Sequence, residues 1–290
     1  MSACTTAPVR AGQCKQTGAV GSRARNGGRL REVRVAKVRQ LQQKRGWAFS
    51  IVVGTAKPIL LAVTKRDWIN GEKIPATGGC VVVVNHISHL DPMTFGLFLY
   101  DHGRLVRYLT KEALFRTPLF KYVVRDAGQI PVSRMAEGAA SAFDSAVAAV
   151  NKGEMIGVYP EGTITKDPDG WPMRGKTGAA RIALATGCPV IPVGQWGVQD
   201  LLPAYAVRPH PFPRKKTSYK VGDPVDLSDL MGKPLTSDVL REATDRIMAA
   251  ITEIVEELRG ETAPAVRFDP KTSGVSEIGN PKKAKRRELE

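Results

Sequence analysis

The sequence predicts an α/β fold, a mainly parallel sheet flanked by helices on both faces. Four consecutive β-branched residues, Val81–Val84, have the unbroken apolar character of a strand buried on both sides. Soon after them Asp91-Pro92 marks a helix start: Asp can cap, and Pro's fixed φ suits the first turn, where its missing N–H is not needed. The same strand-then-helix alternation recurs through Met155–Tyr159, Val190–Val193 and the long helical pattern Thr236–Arg259.

In chain order, residues 1–30 are rich in Gly, Ser, Ala, Thr and Arg without periodicity, and are expected to be a disordered basic tail. Residues 31–73 are expected to form a basic and apolar membrane-associating helical segment. Val33, Val35, Val38 and Leu41 stand among basic residues, which suits a helix on an anionic surface and a solvated tail equally. The apolar run Trp47–Thr64 approaches the length of about 20 residues that a membrane-spanning helix needs, but Lys57-Pro58 interrupts it. Two short helical pieces dipping into one leaflet are expected, with the basic flank on the cytoplasmic face. The alternative is a helical pair packed on the protein's own core. The basic stretch ahead of this run is too long for a secretory signal.

An α/β domain is expected over residues 74–260. After Val81–Val84 and a helix from Pro92 to Tyr100 come a strand (Leu105–Leu109), an amphipathic stretch (Leu114–Val124) and a strand-like Gly128–Arg134. An Ala-rich helix follows (Glu137–Asn151), then strand Met155–Tyr159 and helix Thr177–Thr186, the latter ended by Gly187 and Pro189. Strands Val190–Val193 and Thr217–Val221 precede the last helix, whose apolar positions are Leu240, Ile247, Ile251, Ile254, Val255 and Leu258. Residues 261–290 turn polar and Pro/Lys-rich, and a second disordered basic tail is expected there.

A chain of 290 residues with 42% hydrophobic content and a mean hydropathy of −0.18 argues against several membrane spans. The net charge of +15, crowded at both ends, points to an anionic partner. Nucleic acid is disfavoured, because the basic residues lie in tails without interleaved aromatics and aromatic content is only 6%. Cys4, Cys14, Cys80 and Cys188 show no metal-ligand spacing, so no metal is expected.

Gly170-Trp171-Pro172-Met173-Arg174-Gly175-Lys176-Thr177 satisfies the P-loop pattern letter for letter. A P-loop joins a strand directly to a helix, yet Lys166-Asp167-Pro168-Asp169 cannot be a buried strand, and Trp171-Pro172-Met173 is stiff where the loop must curl. Nucleotide hydrolysis is therefore a distant alternative.

Asn85-His86-x4-Asp91 carries more. It puts a histidine in the link between a buried strand and a helix, with a carboxylate five residues on that can reach back to the imidazole. A base with an orienting carboxylate is the minimum for deprotonating a hydroxyl. Three blocks follow in order: Gly128-x-Ile130-Pro131-Val132-x-Arg134, Tyr159-Pro160-Glu161-Gly162-Thr163 and Val190-Ile191-Pro192-Val193. Together they resemble the glycerolipid acyltransferase family, whose best-known members are the 1-acyl-sn-glycerol-3-phosphate acyltransferases. The resemblance covers roughly residues 80–195, and Lys111-Glu112-Ala113-Leu114 with Pro118 also looks like the stretch before the family's second block.

The resemblance implies an O-acyltransferase that moves a fatty acyl group from acyl-CoA or acyl carrier protein, a co-substrate rather than a cofactor, to 1-acyl-glycerol-3-phosphate. His86 would be the base and Asp91 its orienter, the acyl group passing directly without an acyl-enzyme. Ser88 as nucleophile is the weaker variant. Arg134 and then Lys111 are the candidate phosphate ligands, and backbone N–H groups around Gly162 and Thr163 the candidate oxyanion donors. Glu161 would bind substrate or, alternatively, shape its loop by accepting backbone N–H groups. His89, His102 and His210 have no such pattern. One position departs from the family: Ile164 stands where Glu-Gly-Thr is usually followed by Arg. That keeps glycerol-3-phosphate, another lysophospholipid and a glycolipid open as acceptors, with Lys166, Arg174 or Lys176 as replacement cations. The expected partners are lysophospholipid, acyl thioester and an anionic membrane surface. The expected location is the cell membrane, peripheral or monotopic on its cytoplasmic face.

Overall fold

The computed structural model describes residues 39–41, 43, 46–118, 120–132 and 136–276. The chain enters through helix α1 (Trp47–Val63), which turns straight into strand β1 (Thr64–Ile69). Strand β2 (Cys80–Val84) leads to α2 (Asp91–Asp101), and β3 (Val106–Lys111) to two short helices, α3 (Ala113–Arg116) and α4 (Phe120–Asp126). Then come β4 (Ile130–Val132), α5 (Ala136–Asn151), β5 (Met155–Val158), α6 (Gly178–Thr186) and β6 (Val190–Trp196). A one-turn helix α7 (Val198–Leu201), strand β7 (Lys215–Val221) and the long α8 (Ser237–Arg259) complete the order.

The strands form one sheet in the order β1-β7-β6-β2-β5-β3-β4. All neighbouring pairs are parallel except β6–β7, so β7 and β1 run opposite to the rest. In central β2 every residue is buried, as a run of valines requires of a strand covered on both faces. Val81 and Val83 pack with α5, α6 and α8; Val82 and Val84 pack with Phe95 and Phe98 of α2 and with Leu60 of α1. The expected mainly parallel sheet with helices on both faces is what the chain forms.

Three details differ from the sequence reading. First, α1 is one helix, continuous through Lys57 and Pro58. The carbonyl that Pro58 leaves without a donor belongs to Gly54, which is exposed and can be served by water. Asp126 of α4 caps the helix from outside, its Oδ2 accepting Ala48 N–H at 2.9 Å and Phe49 N–H at 3.2 Å. Among the described residues no helix is long and apolar enough to cross a membrane. Second, the sheet begins ahead of residue 74. Thr64-Lys65-Arg66-Asp67-Trp68-Ile69 forms edge strand β1, whose charges face solvent while Thr64 and Trp68 point inward. Charged edge strands protect a sheet from pairing further, and they look polar in sequence for that reason. Third, the chain stays on the domain past residue 260: Arg174 N–H donates to Phe268 O at 2.9 Å, Arg174 pairs with Asp269, and Lys166 Nζ reaches Ser276 O. The amphipathic Leu114–Val124 stretch breaks into α3 and α4 around Thr117-Pro118. The tail expected over 1–30, the basic helix before residue 39 and the last residues, 277–290, lie outside the described residues.

Candidate active site

The parallel strands β2, β5 and β6 end at one edge of the sheet, and the loops after them meet there. This edge is the usual ligand side of an open α/β sheet. Asn85 fastens β2 to β6. Its amide donates to Gln195 O at 3.1 Å and accepts Gln195 N–H at 2.9 Å, while Gln195 Nε2 donates to Asn85 O at 2.6 Å. Both residues are fully buried, so the chain leaves β2 in a fixed direction.

His86 follows directly. Its Nδ1 lies 2.7 Å from Asp91 Oδ2, and Asp91 is fully buried at the first turn of α2. The same oxygen accepts Ile87 N–H at 2.7 Å and Ser88 N–H at 2.9 Å. Three donors converging on one carboxylate oxygen put the proton of His86 on Nδ1 and leave Nε2 as the basic nitrogen. The His86 side chain is 16% exposed, enough for one ring edge to meet a substrate. Tyr159 stacks on its face, the ring centres 4.2 Å apart and 28° from parallel.

Glu161 braces this loop from below. It is 1% exposed; Oε1 accepts His86 N–H at 2.8 Å and Oε2 accepts Met173 N–H at 3.1 Å. Burial pushes its carboxyl up to about 8, outweighing the two N–H groups that favour the charged form. Thr165 N–H donates to His86 O at 2.7 Å and completes the support.

The site residues expected from sequence therefore divide. His86 and Asp91, expected as a base and its orienter, come together at hydrogen-bond distance. Glu161, expected to bind substrate, has both oxygens on backbone N–H groups in the interior and acts on the shape of the loop instead. Gly162 is also reassigned: its N–H closes a turn on Tyr159 O at 2.9 Å, and its φ of +71° is one that glycine adopts readily. Thr163 N–H makes no hydrogen bond among the described residues. Lys111 stands at the end of β3, exposed. Partial burial, and then the neighbouring His86 and Lys111, hold the His89 imidazole below its ordinary range. Arg134 lies outside the described residues. Ser88 is not a nucleophile: it is buried, its Oγ donating to Leu202 O at 2.8 Å and accepting Leu90 N–H at 3.2 Å.

Ile164 is buried at 2% exposure, so the position that departs from the family pattern faces the interior. Of the three replacement cations, Arg174 pairs with Asp269 and Lys166 is buried against Ser276. Lys176 runs across the 159–162 turn: its N–H donates to Pro160 O at 2.8 Å, and its Cδ lies 3.1 Å from where a Cβ on Gly162 would stand. The P-loop letters of residues 170–177 thus form a loop that folds under the turn, with no strand entering it.

Sequence reasoning gave no role to Tyr159, Gln195 or Tyr205. Tyr205 contacts His89 edge-on and donates to Ile164 O at 3.0 Å. Only Tyr159 left a trace, as the first letter of the Glu-Gly-Thr block. Among the described residues no group of His, Cys, Asp and Glu could hold a metal ion.

The acyltransferase family model matches residues 66–196. A 1-acyl-sn-glycerol-3-phosphate acyltransferase of Borreliella burgdorferi is 32% identical over 134 residues, 46% of this chain and 52% of that protein. One of Bacillus subtilis is 24% identical over 189 residues, 65% of this chain and 87% of that protein. This chain therefore spans about half the length of the Borreliella relative. Among solved structures, the 1-acyl-sn-glycerophosphate acyltransferase of Thermotoga maritima shares the fold, with a TM-score of 0.53 and 23% identity over 74% of this chain and 81% of that one.

Proposed function

We propose, from the match of residues 66–196 to the acyltransferase family model, that the protein moves a fatty acyl group from an acyl thioester to the free hydroxyl of 1-acyl-glycerol-3-phosphate, giving phosphatidic acid for phospholipid synthesis. The observation that carries this is the His86–Asp91 pair at the strand-end edge. The acceptor hydroxyl, a poor nucleophile on its own, gives its proton to His86 Nε2 as its oxygen attacks the thioester carbonyl. Asp91 holds the ring and stabilises the imidazolium as it forms. Thr163 N–H meets the oxyanion. Collapse expels the thiolate of acyl-CoA or acyl carrier protein, which takes the proton back from His86. With Ser88 tied into the loop, the acyl group passes directly to the acceptor.

Lys111 and Lys176 supply positive charge around this site and favour a phosphorylated acceptor. Lys176, whose side chain lies against Gly162, is proposed in place of the missing Arg. The membrane reading rests on α1, where Trp47, Ile51 and Ile59 are 63%, 57% and 63% exposed. Such a helix suits one leaflet of an anionic bilayer as a peripheral or monotopic anchor. The test is a screen with radiolabelled acyl-CoA and acyl carrier protein against 1-acyl-glycerol-3-phosphate, glycerol-3-phosphate, other lysophospholipids and glycolipid. Labelled phosphatidic acid as the main product supports the proposal; transfer only to an unphosphorylated acceptor refutes the acceptor assignment.

A further inference from the structure

The loop between α7 and β7 holds an apolar, basic surface next to the site. From Leu201 to Gly222 the chain has no acidic residue, while Arg208, Arg214, Lys215, Lys216 and Lys220 are basic. At the tip, Val207 is 91% exposed and Phe212 is 74% exposed. A loose loop could expose such residues incidentally, but this one is built. Pro203, Pro209, Pro211 and Pro213 stiffen it. Ala206 N–H donates to Pro203 O at 3.0 Å and His210 N–H to Leu201 O at 2.7 Å. Tyr205 fastens it to Ile164 O at 3.0 Å, and Ser88 fastens its start from the catalytic loop.

Its far end is tied to α1. Arg214 Nη2 donates to Leu61 O in the last turn of that helix at 2.8 Å and to Thr64 O, just past its end, at 2.5 Å. Exposed Ile59 lies two residues before Leu61. The register places this junction at the strand-end edge: Thr64 pairs with Lys215 at the starts of β1 and β7, and β7 starts alongside the end of β6, with Trp196 opposite Ser218. The last turn of α1 with exposed Ile59, the Val207–Phe212 tip and the His86 loop therefore share one edge of the molecule.

We propose that the 203–214 loop is a second membrane-contacting element, which inserts Phe212 and Val207 into an anionic bilayer surface so that, with α1, it holds the mouth of the site against the lipid. This rests on the membrane reading of α1 and extends it to a part of the chain about 150 residues away. A bilayer is the occupant because the surface pairs exposed apolar side chains with a run free of acidic residues, and an anionic interface meets both. Stiffening by proline keeps Phe212 presented at low entropic cost.

The experiment uses the full chain with Cys4→Ser and Cys14→Ser; Cys80 and Cys188 are buried. An environment-sensitive fluorophore is placed on Phe212→Cys, on Ile59→Cys, or on Lys233→Cys, the last on the chain beyond Val225, whose N–H bonds to Val190 O at the start of β6. Each is titrated with phosphatidylcholine vesicles containing phosphatidylglycerol. The expected result is a blue shift at 212 and 59 and none at 233, with Phe212→Ser weakening vesicle partition about tenfold at unchanged circular dichroism. A shift at 59 without one at 212 overturns the loop proposal and leaves the α1 reading standing. A shift at 212 alone supports the loop and refutes α1. No shift at either removes both. A shift at 212 produced by acyl carrier protein but not by vesicles overturns the proposal in favour of a protein-docking surface.

Discussion

Replacing Asp91 separates its structural role from its catalytic one. Oδ2 accepts three donors, His86 Nδ1–H, Ile87 N–H and Ser88 N–H, while Oδ1 is buried with no partner among the described residues. Alanine leaves all three donors unpaired. At about 1–3 kcal/mol each, partly relieved by water entering the space, Asp91→Ala costs about 3–6 kcal/mol of stability. Asparagine can turn its carbonyl to the Oδ2 position and keep all three. Its NH2 then takes the Oδ1 position, a buried donor without an acceptor, at about 1–3 kcal/mol. What asparagine cannot supply is the negative charge beside the imidazolium. Asp91→Asn is expected to fold, to melt well above Asp91→Ala, and to lose about 10²–10⁴ in kcat with a smaller change in KM. Thermal unfolding and a coupled thiol-release assay read both quantities. If Asp91→Asn keeps kcat within about threefold of wild type, Asp91 is a brace and the base needs no counter-charge. If it melts with the alanine variant, the assignment of the three hydrogen bonds is wrong.

Other variants probe the frame around the pair. Glu161, whose carboxyl is pushed from 4.5 to about 8, binds a proton in the fold that the unfolded chain releases. Stability from this group is full below about 4.5 and falls as pH rises through about 8, so urea midpoints of wild type should decline across that window. In Glu161→Gln the decline should flatten, but one of His86 N–H and Met173 N–H then faces an amide NH2, costing about 1–3 kcal/mol and lowering kcat. A steady pH slope in both proteins would refute the linkage. Arg259 stacks between Trp171 at 3.7 Å and Trp196 at 4.3 Å, and donates to Asp169 O at 2.9 Å. Arg259→Ala should cost about 2–4 kcal/mol by denaturant unfolding, and exposed Arg241→Ala under about 0.5 kcal/mol. Lys176→Ala should raise KM for the phosphorylated acceptor by about tenfold and leave KM for the acyl donor unchanged; an equal rise for both would place the charge elsewhere.

The fold was largely legible because buried parallel strands announce themselves. Val81–Val84, Met155–Val158 and Val190–Val193 are apolar on both faces, and the helices between them carry their own stop signals, such as Gly187 and Gly260. The edge strand Thr64–Ile69 was not legible, because its pairing with Lys215–Val221 is non-local and its exposed charges imitate a loop. Pro58 suggested a break in α1, yet the helix tolerates it where the orphaned carbonyl meets water. At the site, His86 and Asp91 could be read because five residues across one strand-to-helix turn fix their relation. Glu161 could not be assigned this way: its partners are the backbone of His86 and of Met173, and which N–H groups a carboxylate meets depends on how distant loops close over it. The same holds for Gln195, which meets Asn85 across 110 residues of chain. That Lys176 lies against Gly162 was likewise not legible, because the two meet only through the path of the loop between them.

The central claim is that His86 Nε2 deprotonates the acceptor in a direct transfer. It is tested by the rate of phosphatidic acid formation from acyl thioester and 1-acyl-glycerol-3-phosphate by wild type and His86→Ala, both checked for an unchanged fold. The account predicts a loss of about 10²–10⁴ in the variant, without labelled acyl-enzyme in either protein when acceptor is withheld. Transfer at the wild-type rate by His86→Ala, or an acyl group trapped on the protein, would contradict it.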